Sequence, residues 1–272
     1  MSKVLVAVAF VWSAVAAAQV QQVQEPKPTI VLVHGAFADG SSWMEVIPLL
    51  QAEGYTVVAV QNPLTSLADD VAAARRVIDD QPGKVVLVGH SWGGSVITQA
   101  GNHDKVSALV YVAAFAPQIG QSSAETGKGF PPPPGLSRPV VGSGGYLRLS
   151  PETVSRDFAP DLPERQTLVM AATQGPIKAQ CFDEKLTVAA WQSKPSWFVV
   201  AENDRMIAPE AQRVMAATIK ATMTSVRSGH VPMLSRPKEV AGAILAAAKR
   251  TGVSIARPTG APKTPPTSAI AK

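Results

Sequence analysis

The chain holds one cysteine, Cys181, in 272 residues. That excludes an intrachain disulfide and any multi-cysteine metal site. Charge is scarce as well: 17% of the residues are Asp, Glu, Lys or Arg against 46% hydrophobic ones, so the chain can bury a large core and is not broadly disordered. Nothing repeats and no coiled-coil heptads run through it, which argues against a structural or interaction protein. The length suits one large domain or two small ones.

Lys and Arg exceed Asp and Glu by five (25 against 20), an excess that raises the question of nucleic acid. Placing the charges answers it. Residues 1–18, MSKVLVAVAFVWSAVAAA, carry Lys3, an apolar run from Val4 to Val15 that is short for a membrane span, and then Ala16-Ala17-Ala18. This is the order of a secretory signal peptide, so we expect an exported, periplasmic or secreted protein without stable membrane insertion after cleavage. No cysteine follows the leader, so no lipoprotein attachment site is present there. Residues 251–272 mix Pro, Thr, Gly and Ala without periodicity and read as a disordered tail carrying Arg257, Lys263 and Lys272 but no acid. With Lys3 and these three cations set aside, residues 19–250 keep a net charge of +1. The body has no Lys/Arg cluster interleaved with aromatics, and no nucleic-acid partner is expected.

From Thr29 onward, short β-branched runs alternate with longer amphipathic segments, the pattern of a parallel sheet flanked by helices. The predicted strands are Thr29–Val33, Tyr55–Val60, Val85–Gly89, Val106–Ala113, Trp197–Ala201 and Thr222–Val226. Several are almost continuously apolar, as strands buried on both faces should be. Helical spacing appears in Ser42–Glu53 (Trp43, Val46, Ile47, Leu50), in Leu67–Ile78 and in Pro237–Ala248, whose terminal Lys249 and Arg250 suit the helix dipole. The alternation breaks once, from about residue 117 to 194. This insert holds Pro131-Pro132-Pro133-Pro134, the run Gly142-Ser143-Gly144-Gly145, and two short helices predicted near Ser150 and Pro163, and it reads as a cap within one α/β domain over residues 19–250.

After the third predicted strand comes Gly89-His90-Ser91-Trp92-Gly93-Gly94, then the apolar run Ser95-Val96-Ile97-Thr98. G-x-S-x-G between a strand and a helix is a nucleophile elbow, in which the flanking glycines let the backbone turn sharply enough to present Ser91 Oγ. A serine hydroxyl needs a base, and the base needs an orienting acid. Four histidines allow elimination. His90 neighbours the nucleophile and should point away from it, His34 ends the first strand, and His103 closes the helix at the opposite edge of the sheet. His230 remains, on the loop after the last strand. For the acid, Asp204 leaves the strand Trp197–Ala201 at the same edge and reaches further into the loop than Glu202; Glu125 and Asp183 are weaker candidates. The order Ser91, Asp204, His230 is that of an α/β-hydrolase. The oxyanion needs backbone N–H donors: Trp92, which follows the nucleophile, and Ala36 in the turn after the first strand, with Phe37 as the fallback. His34 then stabilises that turn. Phe37, Phe115 and Phe130, with Trp92, are candidates for an apolar substrate pocket.

The segments Leu32-Val33-His34-Gly35-Ala36, Gly89-His90-Ser91-Trp92-Gly93-Gly94 and His230-Val231-Pro232-Met233-Leu234 resemble the small-cap serine esterases of the plant methylesterase and hydroxynitrile lyase group, and related bacterial hydrolases, within the α/β-hydrolase superfamily. The resemblance runs from Thr29 to Ala248. It implies the Ser91–His230–Asp204 triad and hydrolysis of a small-molecule carboxylic ester with neither cofactor nor metal. The lyase branch has Thr after the oxyanion-loop His and Lys after the catalytic His; Gly35 and Val231 stand here, which favours hydrolase over lyase. Lactonases, C–C hydrolases and metal-free perhydrolases share the triad and stay open, because a fold and triad fix the reaction class and not the substrate. A ligand-binding protein that keeps the pocket but turns over negligibly is the reading from another class. Labelling by a fluorophosphonate probe separates it from an enzyme.

Overall fold

The computed structural model describes residues 26–251; the leader expected over 1–18, and the tail beyond Thr251, lie outside the described residues. Six strands form one sheet in the order β2-β1-β3-β4-β8-β9, with every neighbouring pair parallel. They are β1 (Thr29–Val33), β2 (Val57–Val60), β3 (Val85–His90), β4 (Val106–Val112), β8 (Ser196–Ala201) and β9 (Thr222–Val226). The central strands β1, β3 and β8 are buried along their whole length, which is why their sequences are almost purely apolar. Position in the sheet explains the exceptions: β9, at one edge, exposes all but Val226.

Helices α1 (Ile47–Ala52), α2 (Leu67–Asp79) and α3 (Gly93–Ala100) fill the first crossovers, while α7 (Pro209–Thr218), α8 (Pro232–Ser235) and α9 (Pro237–Thr251) follow the last two strands. Helices α2 and α3 pack on each other and on the sheet, as do α1 and α9, so two helix pairs cover the strands. The helix predicted over Ser42–Glu53 is a correction. A 3-10 turn over Gly40–Trp43, capped by the Asp39 side chain, is followed by the short α1 with Pro48 in its first turn. Proline has no N–H to donate back one turn, so the helix begins there instead of running through it. The apolar spacing nonetheless marks the core, since Trp43, Val46 and Leu50 are fully buried.

Between β4 and β8 lies an excursion with its own small antiparallel sheet, β5 (Val140–Val141), β6 (Tyr146–Arg148) and β7 (Ile177–Lys178). The glycine run makes the β5–β6 turn: Gly144 and Gly145 take φ of 66° and 76°, a region costly for residues with a Cβ, and Gly142 N–H donates to Tyr146 O. Helices α4 (Ser123–Thr126), α5 (Pro151–Thr153) and α6 (Glu164–Thr173) complete the excursion. A π turn over Val154–Phe158 continues α5.

Candidate active site

A parallel sheet puts the carboxyl ends of its strands at one edge, and loops at that edge can meet. The turn after β3 carries Ser91 with φ of 52°, a left-handed conformation that costs energy for a residue with a side chain and recurs at nucleophile elbows. Its neighbours must lie very close. A Cβ on Gly89 would stand 2.5 Å from the carbonyl oxygen of Gly93, and one on Gly93 would stand 2.5 Å from that of Val33. Glycine at both positions is what lets the elbow fold between β1 and β3.

Asp204 and His230 arrive on the loops after β8 and β9, held side by side by Glu202 N–H to Val226 O and Asn203 N–H to Ser228 O. The three side chains connect. His230 Nδ1 lies 2.7 Å from Asp204 Oδ2, and His230 Nε2 lies 2.9 Å from Ser91 Oγ. A carboxylate accepts, so Nδ1 carries the proton and Nε2 is left to accept from the serine hydroxyl. Asp204 is itself held: Oδ1 accepts from Met206 N–H (2.7 Å) and Ile207 N–H (3.0 Å), and Oδ2 accepts from Gln212 Nε2 (2.7 Å). All three residues are buried.

Gln212 was not foreseen from the sequence. It is fully buried on α7, where its Oε1 also accepts from Ala201 N–H and its Nε2 also donates to Ile207 O. The available signal was a glutamine among Ala211, Met215 and Ala216 on the apolar face of the helix.

His90 makes no hydrogen bond to Ser91; its ring lies against His230, with centroids 4.7 Å apart and its Nε2 donating to the His230 carbonyl (2.8 Å). Burial, then the neighbouring His230, hold its pKa well below the usual imidazole value. His34 stabilises its turn: Nε2 accepts from Asn62 N–H (2.9 Å) and Nδ1 pairs with Gly35 O (2.8 Å). His103 bonds Asp79 at the far side of α2 and has no part in the site.

Ala36, Phe37, Phe115, Leu136, Phe182, Met206 and Ile207 surround Ser91 and His230 in a small cavity. Among the described residues no backbone carbonyl takes the N–H of Ala36 or of Trp92, so both donors stand free at the elbow. The Trp92 side chain is buried beneath it, donating from Nε1 to Asp70 Oδ2 (2.7 Å), and does not line the cavity. Phe130 lies further out. It lines an adjoining chamber of about 210 Å³ that shares Phe115, Leu136, Phe182, Met206 and Ile207 with the small cavity. Met206 and Ile207 lie two and three residues after Asp204, and their proximity in sequence could have revealed them. Among the described residues, no group of three or more His, Cys, Asp and Glu side chains is placed to hold a metal ion.

Residues 30–243 match the model of the alpha/beta hydrolase family. "Probable hydrolase R7" of Phoma sp. is 27% identical over 80% of this chain and 97% of its own length. "Methylesterase 2" of Arabidopsis thaliana is 26% identical over 83% of this chain and 97% of its own. The crystal structure of a pyrethroid hydrolase from Sphingobium faniae JZ-2 superposes with a TM-score of 0.70 at 23% identity, covering 82% of this chain and 97% of that one. With the sheet order, the elbow and the family match in agreement, the chain belongs to the alpha/beta hydrolase family.

Proposed function

We propose that the protein is a serine esterase in which Ser91, His230 and Asp204 act as nucleophile, base and orienting acid. The observation that carries this reading is the unbroken relay from Asp204 Oδ2 through both nitrogens of His230 to Ser91 Oγ, at the head of a cavity. His230 Nε2 takes the serine proton as Oγ bonds to the ester carbonyl carbon. The carbonyl oxygen becomes an oxyanion facing the free N–H groups of Ala36 and Trp92, each worth about 3–4 kcal/mol in comparable sites. His230 then returns its proton to the departing alcohol, leaving an acyl-serine. Water, deprotonated by the same imidazole, attacks the acyl carbon, and the acid leaves as Ser91 is reprotonated.

The adjoining chamber supports a substrate with an uncharged apolar group. Its lining includes Phe115, Phe130, Pro131, Leu136 and Phe182, and no ionisable side chain. A charged group there would lose its water without gaining a partner.

Ser91→Ala should abolish turnover of p-nitrophenyl acetate with the fold intact; retained turnover would remove the central claim. A series of p-nitrophenyl esters graded in acyl size tests the chamber, and an ester bearing a free carboxylate should be the poorest substrate. Export is proposed on the composition of residues 1–18 alone. N-terminal sequencing of the mature protein should begin at Gln19, and an intact Met1 would refute it.

A further inference from the structure

The cap touches both loops that bring in the acid and the base, and one short segment of it reaches both. At its start, Asp157 lies in the last part of the π turn with a side chain fully out of water. Its Oδ1 accepts from Arg205 Nε at 2.6 Å, and Arg205 is the residue next to Asp204. At its end, Asp161 Oδ2 accepts from the backbone N–H of Gly229, the residue before His230. Between them, Phe158 stands edge-on to the His230 ring, with centroids 5.2 Å apart.

Each contact is too close to be incidental surface packing. A Cβ on Gly229 would fall 2.7 Å from Pro160 Cδ. Bare glycine therefore lets the cap segment lie directly on the base loop. On the other side, Gly135 in the loop after the proline run donates its N–H to Arg205 O at 2.9 Å, which ties the chamber wall to the acid loop.

We propose that residues 157–161 of the cap form a clamp that sets Asp204 and His230 in register, with Arg205 and Asp161 as positioning residues. The proposal rests on the triad reading. Glu202 N–H to Val226 O and Asn203 N–H to Ser228 O join the two loops at their bases, but beyond that point a hydrogen-bonded pair is held no better than its backbones are, and a displacement of about 1 Å in a reacting group costs roughly 100-fold in rate. The clamp grips each loop at the residue next to the catalytic one, through the Arg205 side chain beside Asp204 and the Gly229 N–H beside His230. Arg156 supplies the contrast. It bonds the other oxygen of Asp157 from a half-exposed position and reaches neither loop, so it stabilises the carboxylate without touching the register.

The test compares Arg205→Gln, Asp161→Ala and Arg156→Gln with the wild type in p-nitrophenyl acetate hydrolysis, alongside Ser91→Ala. Arg205→Gln and Asp161→Ala should each lower kcat about 10- to 100-fold with KM held within about two-fold, because register is a transition-state requirement and not a binding one. Arg156→Gln should keep kcat within about two-fold. Circular dichroism confirms folding. If Arg205→Gln does not fold, Asp161→Ala decides by the same readout. The proposal is overturned if Arg205→Gln and Asp161→Ala keep wild-type kcat, if their losses lie in KM alone, or if Arg156→Gln falls as far as they do. Turnover surviving in Ser91→Ala would instead overturn the triad reading beneath it.

Discussion

Gly35→Ala separates the chemistry from the fold. Gly35 sits in the turn after β1, and a Cβ built there would stand 2.7 Å from the Cβ of Ser91 and 3.0 Å from His90 Nδ1. Ordinary van der Waals contact begins at 3.4 Å, so the two chains must part by at least 0.7 Å. Ser91 cannot give way easily, because the Ser91 carbonyl accepts from both Gly94 N–H (2.9 Å) and Phe115 N–H (3.1 Å). The turn after β1 therefore moves, and Ala36 moves with it. Inserting a methyl into a packed site costs about 1–3 kcal/mol of stability. For a domain of this size that is a fall in Tm of about 2–12 °C. With Ala36 N–H as the proposed oxyanion donor, the catalytic loss should be larger, because a donor displaced by this much is nearly a donor removed, and removal costs about 100- to 1,000-fold in kcat. Steady-state kinetics on p-nitrophenyl acetate with a parallel thermal melt reads both. A variant that melts lower but keeps kcat within about three-fold would show that Ala36 N–H does not serve the oxyanion, and would refute the argument.

Asp70 is buried and accepts from Leu64 N–H and Trp92 Nε1, while burial pushes its pKa up to about 6 from an ordinary 3.8. A carboxyl raised on folding contributes stability at low pH that is lost as pH rises through the folded value. The stability of the wild type relative to Asp70→Asn should therefore improve by about 1–2 kcal/mol between pH 7.5 and pH 5 in urea unfolding, and a pH-independent difference would contradict it. Gly242 is exposed within α9, and a Cβ there would meet nothing within 4 Å, so Gly242→Ala should raise stability by about 1 kcal/mol with kcat unchanged. Gln212→Met strands the Ala201 N–H and the Ile207 carbonyl, two buried backbone groups, at about 1–3 kcal/mol each, so the unfolding midpoint in urea should drop accordingly. An unchanged midpoint would mean that the loop re-pairs those groups.

The sheet was legible because each central strand is a short β-branched run bounded by turn residues; Thr29–Val33 and Thr222–Val226 coincide with the observed strands. Helix continuity was harder to read than helix burial. The spacing of Trp43, Val46 and Leu50 identifies a core face, but a 3-10 turn followed by a proline-started helix presents the same face without a continuous helix. In the cap, strands of two or three residues are too short for any alternation, and Val140 and Val141 are exposed, so β5–β7 left no periodic trace. Ser91, Asp204 and His230 could be picked out because each follows a strand, and parallel strands deliver their carboxyl ends to one place. Gln212, Phe158 and Asp161 could not. Each matters through a partner on another element, and nothing local in the chain marks such a pairing.

His90 completes the account of the base. Two imidazoles 4.7 Å apart could share a proton, and a shared proton would blunt the base. Burial disfavours the charged form of His90, and a charge on His230 disfavours it further, so His90 is held neutral. A neutral ring has one N–H, and His90 spends it on the His230 carbonyl. In the proposed triad, His90 therefore anchors the backbone of the base without competing for its proton. In the proposed mechanism, the imidazolium formed when Ser91 gives up its hydrogen has one acidic partner in contact, Asp204, whose second oxygen is already fixed by two backbone N–H groups. Asp204 stabilises the delocalised cation through Nδ1, and Nε2, facing Ser91, is left to move the proton in the proposed reaction.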